Sequence, residues 1–387
     1  METKNYDVAV CGAGVAGCAA AIAAARCGMK TLLIEKQCIL GGLATSGLIY
    51  LYLPICDGKG NKVMGGIPEE MLKRSVEYSP YDMPTVWGGP ENANTGRHKN
   101  TSRYESCFSP AGFSLVLDEM LVEAGVELWL DTTITGCEKE GKRVRSVYAV
   151  NSSGTVKIDA ECFVDATGGA YLAQYAGCKV HRTENNRTSW FIDVGKKAEA
   201  YHMYDGFNML FFNSGTQADC SGGREVTDFV RSSWKAIRQY YKNLPAAEQK
   251  TNFPLQLPAM PQIRKIAAID SMHNIEDRDC GVHFEDSVGV SGDWRATLGV
   301  WETPVGALIP RDAEGLIAAG RCIGSTGKEA WEVYRVIPAA AMTGEAAGTA
   351  AALCVSSGTT THNIDIKALQ EKLSGNDCML FYPCFQK

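Results

Sequence analysis

The strongest constraint on the fold of this 387-residue chain is a pair of glycine-rich segments near its two ends. Residues 6–17 read YDVAVCGAGVAG, and TLLIEK follows at 31–36. Val8, Val10 and their neighbours form a short apolar run of strand type, and the Ala-rich stretch 18–27 reads as a helix. Between strand and helix, Gly12, Gly14 and Gly17 have the spacing G-x-G-x-x-G. Gly12 suits a tight turn, Gly14 lets the backbone approach a pyrophosphate, and Gly17 lets the helix pack closely on the strand. The helix N-terminus adds free N–H groups and a positive dipole end for the phosphates. A second apolar strand, 31–34, ends at Glu35, roughly 20 residues past the glycines, where an acid accepts hydrogen bonds from ribose hydroxyls. A carboxylate there would repel the 2′-phosphate of NADP. These residues predict dinucleotide binding but do not separate NAD from FAD.

Two later segments favour FAD. Gly41, Gly42, Leu43, Ala44, Thr45, Ser46 and Gly47 directly follow the second strand. They offer adjacent glycines and two hydroxyls where the pyrophosphate and ribitol of a flavin would run. The C-terminal segment 315–353 begins with an apolar strand, 316–319, that ends in Gly320 and Arg321. A helix of small residues follows, roughly 337–354. Its N-terminus would place N–H groups beside the negative charge of a reduced flavin at N1 and O2. The two ends lie about 300 residues apart, so one large cofactor would be held from both directions.

On these residues the chain resembles FAD-dependent oxidoreductases of the glutathione-reductase-like superfamily. It is similar to the group pairing GG-x-x-T-S-G near the start with L-x-x-A-G-R-C and R-V-x-P near the end, a distant cousin of fumarate reductases. Middle segments fit as well, including 111–126, FVDATGG at 163–169, PQIRKI at 261–266, 284–288 and TPVGALI at 303–309. The resemblance implies an α/β fold: a Rossmann-like FAD-binding domain with a three-layer ββα arrangement and an inserted α+β substrate cap domain. The FAD-binding domain would comprise 1–45, 111–180 and 302–360, the cap 46–110 and 181–301, and a C-terminal tail 361–387. FAD would be held by Gly12, Gly14, Ala16, Gly17, Glu35 and Lys36, and by Gly41, Gly42, Leu43, Ala44 and Thr45. Ile134, Ala166, Thr167, Gly168, Gly320, Arg321, Arg335, Val336 and Ala339 complete the implied set. Relatives with covalent FAD carry a His in the loop that here holds Leu43 and Ala44, so the FAD is expected to be non-covalent.

Composition agrees with a globular protein: 45% hydrophobic, 21% charged. A net charge of −6 provides no basic surface for nucleic acid or anionic membrane. No signal segment or apolar run of bilayer length is visible. The 15 cysteines include no C-x-x-C pair, which argues against a zinc site, an iron–sulfur cluster and a redox-active dithiol. Their odd number and irregular spacing favour free thiols and a cytoplasmic location. Within the chain, 113–123 reads as a helix, 127–130 as a strand, and 143–150 with 155–158 as a hairpin. Residues 46–110 read as an irregular excursion, ordered in part by the second excursion. The second excursion, 181–301, holds a possible strand at 209–212 and a helix at 226–241.

Flavin chemistry needs a held substrate and one managed proton. Arg264 matches an Arg of the resembled family and would bind a carboxylate bidentately or stabilise an enolate; the alternative is an ion pair with Asp270. His273 is a proton-donor candidate or a structural His. Tyr334 and Arg335 precede the flavin-facing helix, and Glu329 and Glu332 lie in the same stretch, as acid/base candidates or solvated acids. Arg97, His98, Lys99, Arg103, Tyr104 and Glu105 would meet an anionic substrate or form a solvated loop. Trp87, Trp301 and Trp331 would line an aromatic pocket or sit in the core.

The sequence reading is an FAD-dependent oxidoreductase that transfers a hydride between flavin N5 and a small organic substrate, anionic if the basic residues serve it. Reduction or dehydrogenation of a C–C bond next to a carbonyl or carboxylate leads. Amine or alcohol oxidation and a non-enzymatic electron carrier stay open, as do NAD(P)H and a protein as electron partner.

Overall fold

The structure is a computed structural model and describes residues 2–96, 103–195, 201–204, 207–218, 220–295 and 299–385. Its frame is a seven-stranded sheet. Five strands run parallel in the spatial order Glu127–Trp129, Thr31–Ile34, Glu2–Cys11, Gly154–Asp165 and Leu316–Ala318. The long strand Gly154–Asp165 serves two sets of neighbours. Its first half pairs antiparallel with Arg143–Asn151, which pairs with Thr133–Glu140. Its last residues pair in parallel with Leu316–Ala318. Cys11 stands opposite both Ile34 and Asp165, so three strands end together at one edge of the sheet. That carboxyl edge is where ligands sit in open α/β sheets. Val8, Val10, Leu32 and Leu33 are fully buried, which explains why these strands read as unbroken apolar runs rather than alternating ones.

Two helices of small residues cross behind the sheet edge. Val15–Arg26 packs against Ile337–Ser357 so closely that a Cβ on Gly344 would lie 2.3 Å from the Ala16 carbonyl oxygen. One on Gly348 would lie 2.1 Å from that of Ala20. Backbone-to-backbone packing needs Ala and Gly on both helices, and burial all round removes any amphipathic stripe. The helix Pro110–Ala124 begins at Ser109, whose side chain accepts from Gly112 N at 3.2 Å, and stops at Gly125 with φ +77°.

The segment expected to be an irregular excursion contains the helix Gly66–Ser75, which lies against Ile337–Ser357, the long C-terminal helix that precedes the short Ile366–Gly375; Ile67 N donates to Glu345 Oε2 at 2.8 Å. The sequence hid it because two glycines and Pro68 at its start read as a turn. The ends of that excursion are tied by a short ladder of Leu51–Tyr52 with Ser106–Cys107. The later excursion does help to order it: Ala259 N donates to the Ser46 carbonyl at 2.9 Å, and Arg103 Nη2 to the Trp294 carbonyl at 2.7 Å.

A separate antiparallel sheet has the order Tyr201–Tyr204, Phe207–Ala218, Asn185–Val194 and Phe253–Gln256. The helix Gly223–Asn243 lies on it and buries Phe229 and Ile237. Residues after 360 dock rather than trail: Tyr382 Oη donates to Asp57 Oδ2 at 2.8 Å, and Ser287 Oγ to the Leu380 carbonyl at 2.6 Å. All fifteen cysteines are free thiols, with Cys38 and Cys384 exposed. Among the described residues no helix is long and apolar enough to cross a membrane.

Candidate active site

The first strand ends at Cys11 and the chain turns at Gly12, whose φ is +97°. A Cβ on Gly12 would lie 2.7 Å from the Ala166 carbonyl oxygen, so the loop after the strand Gly154–Asp165 leans directly on this turn. Gly14 is the N-cap of the first helix, extended at φ −65° and ψ 175°, with no atom within 4 Å of where its Cβ would stand. It opens the helix N-terminus toward the cleft. Gly17 does the opposite: a Cβ there would lie 1.7 Å from the Gly12 carbonyl oxygen. It supports the turn from beneath and does not line the cleft, correcting its placement among the cofactor contacts. Glu35 ends the second strand. Its carboxylate accepts from Ala13 N at 2.7 Å and Gln37 N at 3.0 Å. Burial pushes its pKa up, against the pull of those two N–H groups. The acid expected to meet ribose therefore also braces the glycine turn.

Three further pieces close the cleft. Gly41 bridges to Gly14, and Gly41, Gly42, Leu43 and Ala44 line the wall. Thr45 does not: its hydroxyl donates to the Leu40 carbonyl and is buried within the loop. The loop at 166–168 is held by buried Asp165, which accepts from Thr167 N, Thr167 Oγ1 and Ala173 N at 3.1, 2.7 and 2.9 Å. Arg321 packs under Gly168 and donates to the Ile263 carbonyl at 2.6 Å. Arg335, Val336, Ile337 and Ala340 bring in the N-terminus of the C-terminal helix. Ala339 is fully buried off the cleft, and Ala340 takes the place assigned to it.

The cleft is open to solvent on one side. Ala16, Lys36, Ile134, Ala166, Thr167, Gly168 and Gly320 line it as the sequence predicted. Thr132, Thr133, Met260, Tyr171 and Tyr175 line it too, without having been anticipated. The tyrosines are four apart on the short helix Tyr171–Tyr175, so they share one face; that spacing was a readable signal. The residues fit an FAD: an open helix N-terminus at Gly14 for the pyrophosphate, an acid at the second strand, and a second helix N-terminus at the far end.

A second cavity adjoins the first and shares Leu43, Ala44, Arg335, Val336 and Ile337 with it. Its walls are apolar and aromatic: Ile49, Tyr50, Leu51 and Leu53 face Trp190, Phe211 and Trp294. The rings of Trp190 and Phe211 are 4.8 Å apart. Arg264 lies on this wall. Its Nη1 donates to Thr188 Oγ1 at 3.0 Å, and among the described residues no carboxylate pairs with it. The alternative partner, Asp270, instead accepts from Asn274 at 2.8 Å and lies 3.1 Å from His181 Nε2. Burial, then the nearby Arg335, lowers the Arg264 pKa to about 10.

The remaining candidates lie elsewhere. His273 sits 3.2 Å from Asp279 Oδ2, edge-on to Phe284, and lines neither cavity. Tyr334 is buried with its hydroxyl 2.9 Å from Thr303 Oγ1. Glu329 pairs with Arg295 at 2.7 Å. Each of the three has a neighbouring partner, and none lines either cavity. Glu332 accepts from Arg335 and lies 3.3 Å from Lys265 Nζ. An aromatic pocket exists, but it is built by Trp190 and Trp294, not by Trp87, Trp301 or Trp331. Trp301 and Trp331 are buried in the core, and the Trp87 ring lies tilted against Tyr104 at 4.5 Å. Arg97, His98 and Lys99 lie outside the described residues.

Comparison with known proteins agrees with this geometry. A digeranylgeranylglycerophospholipid reductase of Picrophilus torridus is 28% identical over 178 residues, 45% of this chain and 42% of that enzyme. The matched stretch thus spans less than half of that relative. A geranylgeranyl bacteriochlorophyll reductase-like protein of Thermoplasma acidophilum superposes with a TM-score of 0.50 at 15% identity, over 97% of this chain and 85% of that one. A p-nitrophenol 4-monooxygenase of Pseudomonas putida gives 0.51 at 11% identity, over 100% and 92%. At such identities the two structures speak for the fold. The model of the FAD dependent oxidoreductase family matches residues 7–191 and 182–373, nearly the whole length. The chain therefore belongs to the FAD dependent oxidoreductases, as an enzyme with FAD as its cofactor.

Proposed function

We propose that this enzyme transfers a hydride between flavin N5 and an organic substrate held in the second cavity, at a C–C bond next to a carbonyl or carboxylate. The observation that carries the reading is the shared wall. Leu43, Ala44, Arg335, Val336 and Ile337 belong to both spaces, so a substrate in the second would meet a flavin in the first. Bound FAD supplies the two-electron donor or acceptor at that boundary. The chain does the rest. The apolar walls exclude water, which strengthens any charged contact inside. The Arg264 guanidinium holds an anionic group or polarises a carbonyl, and Tyr50, a residue of the same lining, is the candidate to pass a proton. Two guanidinium groups would repel a protonated amine, which weighs against amine oxidation. The parallel sheet with its antiparallel flank supports kinship with the glutathione-reductase-like flavoproteins. Leu43 and Ala44, in place of a His, support non-covalent FAD.

Purified protein should be yellow, and heat or acid should release the flavin from the chain. The functional test is anaerobic photoreduction followed by a screen of unsaturated and saturated carbonyl acids, with NADH and NADPH offered as donors. One compound should reoxidise the reduced flavin or bleach the oxidised one. A flavin that exchanges electrons only with proteins would refute the reading.

A further inference from the structure

The second cavity combines two features that seldom share one space: an aromatic lining and uncompensated positive charge. Trp190 and Phe211 stand on one wall, 4.8 Å apart at their ring centres, with Tyr50, Leu53 and Trp294 around them. Arg264 enters the same space and spends one donor on Thr188 Oγ1. A guanidinium has five N–H donors in a planar fork, so most of that fork stays available to a ligand.

The charges around Arg264 do not balance. Arg335 and Lys265 both turn to Glu332, the carboxylate of this group. Arg321 donates to the Ile263 and Arg264 carbonyls at 2.6 and 3.4 Å and has no carboxylate partner among the described residues. Among the described residues four cations therefore face one acid, and two of them, Arg321 and Arg335, also line the cofactor cleft. Buried charge of one sign is costly unless something compensates it. The FAD pyrophosphate belongs at Gly14, at the other end of the first cleft. Among the described residues no acid answers Arg264, which leaves that part to the occupant of the second cavity.

We propose that the second cavity is a binding site for an apolar, ring-sized carboxylic acid, its carboxylate on the fork of Arg264 beside Arg335 and its skeleton between Trp190, Phe211 and Trp294. The proposal rests on the reading above that this cavity takes the substrate, and it names that substrate's class. Arg264 thereby becomes a specificity residue: it selects a planar anion, and the aromatic wall selects against small hydrophilic acids. A carboxylate matches two parallel N–H groups of the fork, which a Lys cannot reproduce.

The test uses the FAD-loaded protein, with 2-naphthoate and its neutral isostere 2-naphthamide as probes. Binding is followed by the shift of the flavin absorbance and by tryptophan fluorescence, without turnover. The parent should bind naphthoate at least tenfold more tightly than naphthamide. Arg264→Gln should lose that preference while keeping its flavin content and melting temperature, and Arg264→Lys should regain part of it. Leu53→Trp, which fills the cavity, should abolish naphthoate binding. Equal affinity of the parent for the two probes would overturn the proposal. So would naphthoate binding that survives Leu53→Trp, or a preference that survives Arg264→Gln. If Arg264→Gln does not load FAD, the parent's preference and Leu53→Trp decide. A protein that prefers naphthoate but whose flavin no organic acid reoxidises or reduces keeps the binding site and loses only the redox reading.

Discussion

Replacing Gly14 and Gly17 separately by Ala distinguishes a glycine needed by the cofactor from one needed by the fold. At Gly14 the backbone is already extended at φ −65°, and a methyl group would meet nothing within 4 Å. Ala there gains up to ~1 kcal/mol from a stiffer unfolded chain and loses about as much as a poorer N-cap. The folded protein without FAD should thus keep its melting temperature. The same methyl group stands where the pyrophosphate should approach the first N–H groups of the helix. Loss of two charge-assisted hydrogen bonds at ~1.5–3 kcal/mol each weakens FAD binding by roughly a hundredfold to ten-thousandfold. At Gly17 the methyl group would lie 1.7 Å from the Gly12 carbonyl oxygen and 2.9 Å from its carbon. Turn and helix must separate by more than an ångström, which removes packing from strand to C-terminal helix, so Gly17→Ala should not accumulate as folded protein. Circular dichroism melting of the stripped protein and titration with FAD, read by quenching of flavin fluorescence, measure both quantities. Parental FAD affinity in a folded Gly14→Ala protein would refute the placement of the pyrophosphate. A normally stable Gly17→Ala protein would refute the packing argument.

Glu35→Ala removes the acceptor of two backbone N–H groups as well as the ribose contact, so it should lower both FAD affinity, by tenfold or more, and the melting temperature; unchanged values for both would remove Glu35 from the site. Glu345 is buried between the C-terminal helix and Gly66–Ser75, near Arg26, Glu70 and Cys378, and burial pushes its pKa up to about 7 from 4.5. The proton is held more tightly in the folded state, so this contribution to stability is full below pH 4.5 and is lost as pH rises through 7, by at most about 3 kcal/mol at 1.36 kcal/mol per tenfold. Glu345→Gln should therefore gain stability relative to the parent between pH 5 and 8, and a difference in melting temperature that stays flat with pH would contradict it. His273→Asn should cost stability through its contact with Asp279 and leave the rate of flavin reduction unchanged; a large loss of rate at normal flavin content would return His273 to the active site.

The cofactor cleft was legible because most of it is local. Gly12, Gly14 and Gly17 lie within one turn, and their tasks follow from which neighbours leave room for a Cβ, a pattern that recurs wherever a strand turns into a helix over a phosphate. Glu35 sits at the end of the adjacent strand, and register brings it there automatically. The errors in this region are one-residue matters of facing: Thr45 turns inward to Leu40, and Ala340 rather than Ala339 points to the cleft. His273, Tyr334 and Glu329 are candidates by residue type, and residue type does not show that Asp279, Thr303 and Arg295 lie against them.

The sequence by itself determined that a strand, a glycine turn and a helix would bind a dinucleotide, and that a second helix of small residues would complete the site. Short-range sterics and hydrogen bonding dictate those elements, and the alternatives for each are few. Only the tertiary structure decided what lies beside the cofactor cleft. Tyr50, Trp190, Phe211, Arg264 and Trp294 come from distant parts of the chain, and no periodicity connects them. They meet because one excursion is laced by Leu51–Tyr52 and Ser106–Cys107 while the other folds into its own antiparallel sheet. Whether Arg264 would find Asp270 or an open cavity depended on that packing. Asp270 was taken by His181 and Asn274, and Arg264 was left on the wall of the second cavity with Thr188 as its side-chain partner.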